Sequence, residues 1–508
     1  MSIEFKTETV MVKKERLVRN FEQLIENDLS LPDYCGDIVR ILCCNTDVNI
    51  FSAVITGDKA VVDGAVVSRI LYTDSAAKTE LYEVNTPFSR NLDVKGADES
   101  DTVEVVCVSE QVSCRAVNQR RCDIRGSVTL RICVTGCEEI SFVTGVPEGY
   151  CHTLTEQING NLLKIRCKKS FTLSENSEGE DRFTNAKILR VCPSPVVSEV
   201  RTIKNKMMIR GNANTDVTLI DKSGNFITSR IHLPVNQIIE IEGIDEDSQC
   251  NVVMNVTAVD ARISHETASA PSHIELTATL SAMIEVTEKT VFSAFTEAYA
   301  PHHELICQKS DISIISDTHR INETHAVSVK FDFSACKAAD VCDTAIKKIR
   351  YTVVSENGSA VMKGNIHFGI LLRTEEGEKL YFERISDFEH KFSVSDASAE
   401  TQFNAVVTPL ATEASANQDG TVTVHTEFRI DGCLISLREY TAISSIEKSE
   451  SEKKCPCNSI FTVYFASEGE RLWDIAKAHN TCAEKIRSTN PDIGDVTDSD
   501  CMLVFEQE

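Results

Sequence analysis

The feature of this sequence that most constrains its fold is a glycine-centred segment that occurs three times. The copies are KAVVDGAVVSRILYTD at 59–74, KMMIRGNANTDVTLID at 206–221 and SAVMKGNIHFGILLRT at 359–374. In each copy a short apolar run and one charged residue come directly before the glycine; the glycines are Gly64, Gly211 and Gly364. Because the copies lie far apart, they indicate whole domains in tandem rather than the short period of a solenoid.

The copies also stay in register beyond this segment. The residues that open the next strand-like run lie at the same distance past each glycine; they are Val103, Cys250 and Phe403. A chain of 508 residues is too long for one core. We therefore predict three β-rich domains, a linker and a small fifth segment, with the boundaries 1–145, 146–297, 298–447, 448–458 and 459–508.

The repeated segments have the pattern of strands. Val, Ile and Thr dominate them, with partial alternation of apolar and polar residues, as in TLRICV at 129–134 and VTVHTEFRI at 422–430. A glycine inside a strand indicates a bulge or the close approach of another backbone segment. The stretch at 15–27 has helical spacing but fits a strand as well. The predicted fold class is mainly β, with three sandwich-like or barrel-like repeats.

Charge and hydropathy exclude several classes of function. The net charge is −25, with 77 acidic and 52 basic residues. Such a field repels phosphate backbones and anionic lipid surfaces, so we expect neither nucleic acid binding nor membrane insertion. No run approaches the ~18 apolar residues of a membrane span, and the first residues lack the apolar stretch of a secretory signal. We expect a protein that starts in the cytoplasm.

The 20 cysteines raise the question of a metal site. The closest pairs are Cys43 with Cys44, Cys133 with Cys137, Cys336 with Cys342, and Cys455 with Cys457. None of them forms the doubled CxxC pattern of structural zinc sites. A further group, His302, His303, Glu304 and Cys307, lies where a strand should begin. We expect no metal and no cofactor, and a minority of thiols that would form cross-links if the compartment turned oxidising.

Catalytic motifs are missing from the sequence. It contains no P-loop, no dinucleotide-binding glycine motif after a strand, no HExxH and no GxSxG. A Cys–His nucleophile pair stays open, because such residues meet only in space. Three copies of one domain are more typical of scaffolds and binding surfaces than of catalytic sites. We expect that the chain is not an enzyme.

The last segment differs from the repeats. FTVYF predicts a strand, and Leu472, Ile475 and Ala476 recur at helical spacing as one buried stripe. Thr481 followed by Glu484 indicates a capping box for a second helix. We expect that helix to bury Cys482 and Ile486, to end before Pro491, and to be followed by a strand at 502–505. The predicted order is strand, helix, helix, strand.

The three large repeats resemble the SPOCS domain of spore-coat proteins from endospore-forming bacteria. The resemblance rests on the openings ETVMVKKERLVRNF and LPDYCGDIVRIL, followed by the central glycine strand. The first copy fits best, and the other two diverge at their openings. The resemblance covers most of 1–447.

The last segment resembles a LysM module, with the order β-α-α-β. The matching residues are Gly469, Leu472, Trp473, Ile475, Ala476, Ile486, Asn490, Pro491 and Leu503. LysM modules bind N-acetylglucosamine-containing glycans between two loops, which correspond here to Gly469, Glu470 and Arg471, and to Asn490, Pro491, Asp492 and Ile493. The family commonly has Asp-Thr where this chain has Glu470 and Arg471, and a glycine before the last strand is replaced. The charged pair suits a protein partner as well as a glycan.

Together the two resemblances imply a non-catalytic adaptor of spore-coat assembly. Such a protein acts in the mother-cell cytoplasm, at the forespore surface, and binds the coat morphogenetic ATPase and other coat proteins, mainly through the LysM module. The alternative is a peptidoglycan-binding protein that tethers coat or cortex, and a wall hydrolase is a third possibility. Trp473 stands beside a core leucine, so it is either half-buried structure or a partner contact.

Overall fold

The Val-, Ile- and Thr-rich segments form strands in the computed structural model, which confirms the prediction of a mainly β chain. The structure describes residues 5–265, 271–356, 358–395, 401–452, 461–497 and 501–506. The stretch at 15–27, whose spacing also fitted a helix, lies within a strand. The rest of the fold follows from how these strands pair.

The first six strands form two antiparallel sheets. They are β1 (Lys6–Ser30), β2 (Ile38–Thr56), β3 (Lys59–Asp74), β4 (Thr79–Asp93), β5 (Thr102–Asn118) and β6 (Arg121–Gly145). One sheet has the order β1-β6-β5 and the other the order β2-β3-β4. Their facing sides enclose an apolar core that includes Tyr72, Ile124 and Leu130, so this set of strands, the first unit, is a sandwich.

The second unit repeats this pairing with one extra strand. Its strands are β7 (His152–Asn176), β8 (Lys187–Ile203), β9 (Lys206–Ile220), β10 (Phe226–Ile231), β11 (Pro234–Glu240), β12 (Gln249–Ser264) and β13 (His273–Tyr299). A 3-10 turn, Asp181–Phe183, precedes β8. The long strands pair as β12-β13-β7, and β9 pairs with β8 on one side and with β10 and β11 on the other.

The third unit has the same order of pairing as the first. Its strands are β14 (His303–Asp332), β15 (Ala338–Glu356), β16 (Ser359–Thr374), β17 (Lys379–Ser395), β18 (Thr401–Ala416) and β19 (Thr421–Glu452). A 3-10 turn, Ser334–Cys336, precedes β15. The sheets are β15-β16-β17 and β14-β19-β18, and a single pair, Ile315 with Asn161, joins β14 to β7.

The central glycines lie where another strand approaches the middle strand of the short sheet. A Cβ at Gly64 would lie 2.5 Å from the carbonyl oxygen of Asn49, and one at Gly211 would overlap the carbonyl oxygen of Val196. A Cβ at Gly364 would overlap the carbonyl oxygen of Arg350. At contacts this close, a side chain at any of these positions would force the neighbouring backbone to shift. The close backbone approach expected from the sequence is therefore present in all three units.

The three units also pack against one another around shared cores. One shared core contains residues of all three short sheets, among them Leu71, Leu189 and Leu371. A second contains residues of the long strands, among them Phe142 and Phe292, which stack with ring centroids 5.0 Å apart. Each unit therefore contacts both of the others, and the chain closes into a ring of three.

Polar contacts reinforce this closure. Arg190 of the second unit donates two hydrogen bonds, of 2.9 and 3.0 Å, to Asp343 of the third. Lys379 of the third unit donates to Thr79 Oγ1 of the first at 2.5 Å and to the carbonyl oxygen of Gly224 of the second at 2.9 Å. One ammonium group thus joins all three units, and burial lowers the pKa of Lys379.

The last segment has the elements β20 (Thr462–Ala466), α1 (Leu472–Ala478), α2 (Ala483–Thr489) and β21 (Cys501–Phe505), and β20 pairs with β21. The expected buried residues are buried; they are Leu472, Ile475, Ala476, Cys482 and Ile486. β19 continues to Glu452, so the first part of the predicted linker at 448–458 is strand. The remainder of that linker, with Cys455 and Cys457, lies outside the described residues.

The capping box predicted for α2 is wrong. The N-cap is Cys482, whose sulfur accepts a hydrogen bond from the backbone N–H of Lys485 at 3.4 Å. Thr481 is buried, and its hydroxyl donates instead to the carbonyl oxygen of Glu506. The Thr481 hydroxyl is therefore bonded to the backbone directly after β21 and does not cap α2.

Candidate interaction site in the C-terminal module

The first predicted loop holds itself together through its own polar groups. Gly469 has φ +85°, the left-handed region that glycine adopts without strain. The carboxylate of Glu470 accepts hydrogen bonds from the Tyr464 hydroxyl at 3.1 Å and from the backbone N–H of Ser467 at 3.3 Å. The bond to Glu470 raises the pKa of Tyr464. Glu470 therefore stabilises the loop, although its sequence position suggested a rim for a ligand.

Arg471 and Trp473 contact the second unit. Arg471 makes two hydrogen bonds to Asp474, at 2.7 and 3.0 Å, and lies 3.7 Å from a carboxylate oxygen of Glu297. The Trp473 indole N–H donates to Glu297 Oε2 at 3.1 Å. Its ring meets that of Tyr299 edge to face, with centroids 4.9 Å apart. Both side chains are thus engaged within the chain.

Glu297 is the centre of the contact between the C-terminal module, which comprises β20, α1, α2 and β21, and the three β units, which we call the body. Lys477 donates to its Oε2 at 2.9 Å, and this bond, with those from Trp473 and the charge of Arg471, lowers the pKa of Glu297. Tyr299 adds a hydrogen bond of 2.6 Å from its hydroxyl to the carbonyl oxygen of Thr481. These contacts fix the orientation of the module on the end of β13.

The second predicted loop is divided between structure and surface. Both amide hydrogens of Asn490 are used inside the module, in bonds to the carbonyl oxygens of Ile486 and Val504, and its Oδ1 accepts from the Val504 N–H. The Asn490 side chain therefore has a structural role in the module, and its part in ligand binding stays a prediction. Ile493 packs on the module core, whereas Pro491 and Asp492 are exposed.

A groove of about 630 Å³ runs between the module and the body. Of the predicted site residues, it brings together Arg471 and Trp473 only. Apart from Leu472 and Glu484, its other lining residues were not singled out by the sequence; they include His152, Tyr299, Arg487, Asp495 and Val496. The loop at 490–493 does not line it, because α2 directs that loop towards β21 instead.

The sequence reasoning missed an exposed apolar surface on the module. Phe461, directly before β20, and Val463 and Phe465 within it are 55%, 55% and 75% exposed, and Met502, opposite Phe465 on β21, is 58% exposed. We call these four residues the outer sheet face. FTVYF gave the available signal, since Phe461, Val463 and Phe465 recur at every second position and the side chains between them face the opposite side of the strand.

The predicted metal candidates do not form a site in the described part of the chain. His303 opens β14, where it pairs with Glu452, and Cys307 lies further along the same strand. Within the described ranges no three His, Cys, Asp or Glu side chains are placed to hold a metal ion. A search of the same residues finds no helix of sufficient length and hydropathy to span a membrane.

One further titratable cluster lies far from the module, in the third unit. His390 on β17 stands between His325 and Glu323 on β14, with Nδ1 3.1 Å from His325 Nδ1 and Nε2 2.8 Å from the carboxylate. His325 packs between the rings of Phe388 and Phe428. Burial, and then the charge of His390, lower the pKa of His325.

Comparison with known proteins gives one match that bears on these units. The family model described as SipL, SPOCS domain, matches residues 37–117 and 186–264. The two segments run from β2 to β5 and from just before β8 to β12, and so occupy corresponding parts of the first and second units. The match supports a relation to the SipL-type family and a role connected with the spore coat. A search of curated proteins finds no significant match.

Proposed function

We propose that this chain is a non-catalytic adaptor in spore-coat assembly, which binds the coat morphogenetic ATPase at the forespore surface, in the mother-cell cytoplasm. The SPOCS match in two units supports the coat connection. The resemblance of the last segment to LysM supports the module as the main contact. The closed ring of three units supplies a rigid body on which the module is held.

The outer sheet face is the observation that carries the proposal. The module already has a core, formed by residues such as Leu472, Ile475 and Phe505, so the exposed residues are not needed to complete it. Phe465 and Met502 lie opposite each other, and Val463 is two positions along the same strand. An apolar patch of this kind on a polar, acidic protein is typical of a protein-binding surface.

The attachment of the module explains how such a surface could be presented in a fixed direction. Glu297 holds Trp473, Lys477 and Arg471, while Tyr299 bonds to the turn before α2. The helices therefore face the body. A partner on the outer sheet face and the body on the helix side would not compete.

A binding experiment tests the proposal. The full chain would be immobilised and the purified ATPase of the same organism applied. Changing Phe465→Ser together with Val463→Thr removes apolar area without touching the module core, so we expect binding to fall at least tenfold, which corresponds to about 1.4 kcal/mol. Ile238→Thr, on β11, is the matched control, because Ile238 is 69% exposed and lies far along the chain.

Two outcomes of the binding experiment would contradict the proposal that the outer sheet face binds the ATPase. Unchanged binding by the double variant would remove the outer sheet face from the interface. Equal loss in the Ile238→Thr control would show that any loss of surface hydrophobicity has the same effect. Zymography of the full chain on purified peptidoglycan tests the non-catalytic part, and a cleared zone would contradict it.

The groove favours a second candidate, a peptidoglycan-binding role. Tyr299 and Trp473 place aromatic rings at a groove that also holds Arg471 and Asp495, and sugars bind to aromatic faces flanked by polar groups. Sedimentation with purified peptidoglycan tests it. Binding that is lost in Trp473→Ala and kept in the Phe465→Ser, Val463→Thr variant would favour this role over the adaptor role.

A further inference from the structure

Three cysteines of the first unit meet at the seam between its two sheets. Cys44 lies on β2, Cys114 on β5 and Cys122 on β6. The Cys114 thiol interacts with the thiols of both Cys44 and Cys122. We propose that this cluster is a disulfide-forming site, in which oxidation joins Cys44 to Cys114 across the two sheets.

The strand pairing independently places these residues together. In the β5–β6 ladder, Cys114 pairs with Ile124 and Cys122 with Ala116, so the two cysteines are diagonal neighbours on one face. The edge of the other sheet is tied to β5 close by, because Thr46 on β2 donates a hydrogen bond of 2.8 Å to Glu110. All three cysteines belong to the same apolar core.

The other two units show that packing at this seam does not require sulfur. In the first unit Cys44 pairs with Ile70. At the corresponding position the second unit has Val191, which pairs with Val217, and the third has Thr344, which pairs with Ile370. The positions that correspond to Cys114 and Cys122 hold Ala261 and Ile274 in the second unit and Ala414 and Val422 in the third. Cysteines fill all three positions in the first unit alone, so their chemistry distinguishes it.

The cluster combines an accessible thiol with a protected one. Cys44 and Cys114 are half-buried, whereas Cys122 is fully buried. The hydrogen bond from Cys114, with the nearby charge of Lys347, lowers the pKa of Cys44. A lowered pKa raises the fraction of thiolate, which is the nucleophile in disulfide exchange. The bond with Cys114 also lowers the pKa of Cys122, but Cys122 is fully buried, so an external disulfide reaches Cys44 first.

The oxidant is a low-molecular-weight disulfide, RSSR. The Cys44 thiolate attacks one sulfur, forms a mixed disulfide and releases one thiolate, RS⁻, which takes the proton of the Cys114 thiol. The Cys114 thiolate then attacks the Cys44 sulfur and releases the second RS⁻. Two cysteine thiols and one RSSR thus become one protein disulfide and two RSH, once the second RS⁻ takes up the proton that Cys44 lost.

The product would link β2 and β5, which belong to different sheets and are far apart in sequence. A covalent link of this kind restricts the unfolded chain and stabilises the fold. The first unit would then be locked in its sandwich form in an oxidising compartment and released in a reducing one. This role does not depend on the proposed adaptor function.

Mass spectrometry of the full chain tests the assignment. The folded protein would be treated with oxidised glutathione, its free thiols blocked with N-ethylmaleimide, and its tryptic peptides analysed without reduction. We expect a peptide pair joined through Cys44 and Cys114 and a rise in Tm of the oxidised protein by several degrees. In Cys114→Ser we expect glutathione on Cys44, no link and no rise.

The control is Cys250→Ser, at a half-buried cysteine of the second unit, which should form the link as the unchanged chain does. If the unchanged chain keeps all three thiols free, or carries glutathione on Cys44 without a link, the proposal is wrong. A link confined to Cys114 and Cys122 would also overturn it, because those strands are neighbours in one sheet. If a variant fails to fold, the measurement on the unchanged chain still shows whether Cys44 and Cys114 form a disulfide.

Discussion

The first and third units have different polar side-chain contacts at the same edge of their sandwiches. Between β4 and β1 of the first unit, Arg90 donates to Gln23 at 3.0 Å and lies 5.5 Å from the centre of the Phe21 ring. Between β17 and β14 of the third unit, His390 bridges His325 and Glu323. One edge carries a permanently charged guanidinium and the other a pair of imidazoles, of which His325 has a lowered pKa because it is buried.

The inner layer behind these contacts is the same in both units. Phe88 in the first unit and Phe388 in the third each place their ring against the central glycine, where an added Cβ would come within 2.7 and 2.8 Å of ring carbons. The apolar framework is therefore fixed, whereas the polar rim is free to differ. The two units should respond alike to changes in the framework and differently to pH.

The largest effect should come from the framework. Gly64→Ala and Gly364→Ala each push a methyl group into a backbone carbonyl and a phenylalanine ring, so we expect each to lower the free energy of unfolding by about 2–3 kcal/mol. Chemical denaturation of the full chain measures this. Gly494→Ala is the control, since the nearest atom there is 3.5 Å away and the change should stay within about 0.5 kcal/mol.

The comparison would break if only one of the two glycines were sensitive. A near-neutral Gly364→Ala beside a costly Gly64→Ala would show that the third unit relaxes its backbone and that the units are not equivalent frameworks.

A smaller effect should appear on acidification. Because the pKa of His325 is lowered in the folded state, the folded chain disfavours its protonation, and the stability that follows is present above the ordinary histidine value of about 6.5 and lost as the pH falls below it. Hydrogen exchange at about pH 7.5 and pH 5.5, corrected for the intrinsic pH dependence of the amide exchange rate, should show lower protection factors in β14 and β17 at the lower pH. The protection factors in β1 and β4 should change little.

Exchanging the rims sharpens this test. The pair His390→Arg and Glu323→Gln places the first unit's residues in the third, and His325→Phe removes the buried imidazole. We expect the pH dependence in β14 and β17 to weaken in His325→Phe and to persist in the double variant, because there the buried His325 remains beside a permanent positive charge. Its persistence in His325→Phe would assign the effect to another group and contradict the prediction.

The smallest effect should come from the rim of the first unit. Arg90→Ala removes one hydrogen bond and the cation–π contact with Phe21, which together contribute about 0.5–1 kcal/mol at an exposed position. The loss should be the same at both pH values, as measured by denaturation. Arg384→Ala, on the third unit's β17, is a matched control for loss of an arginine over aromatic rings, because it lies over Phe333 and Phe382.

The strands and their central glycines were predictable because they depend on local pattern. Alternation marks one buried face, and a glycine in an apolar strand marks a close approach, as at Gly211. The closed ring was not predictable. Contacts such as Lys379 with Thr79 and Gly224 join residues that no local pattern relates, and they depend on how complete sheets pack.

The candidate site divides in the same way. The buried stripe of α1 followed from helical spacing, and the structure buries Leu472 and Ile475 as expected. The roles of Asn490 and Trp473 did not follow, because both are set by partners outside their own segment, Val504 and Glu297. A motif position shows which residue type is present, and only the packing around it shows which of its atoms are left for a partner.

One continuous polypeptide forms three sandwiches that pack against one another, and this has a consequence for how the molecule can vary. A homotrimer built from a single repeat would carry every substitution three times, so each specialised feature would appear on every corner. Here the thiols, the imidazoles and the attachment point of the terminal module each occupy a different corner. The arrangement combines the rigidity of a symmetric assembly with an asymmetric exterior, in which one partner meets one defined side.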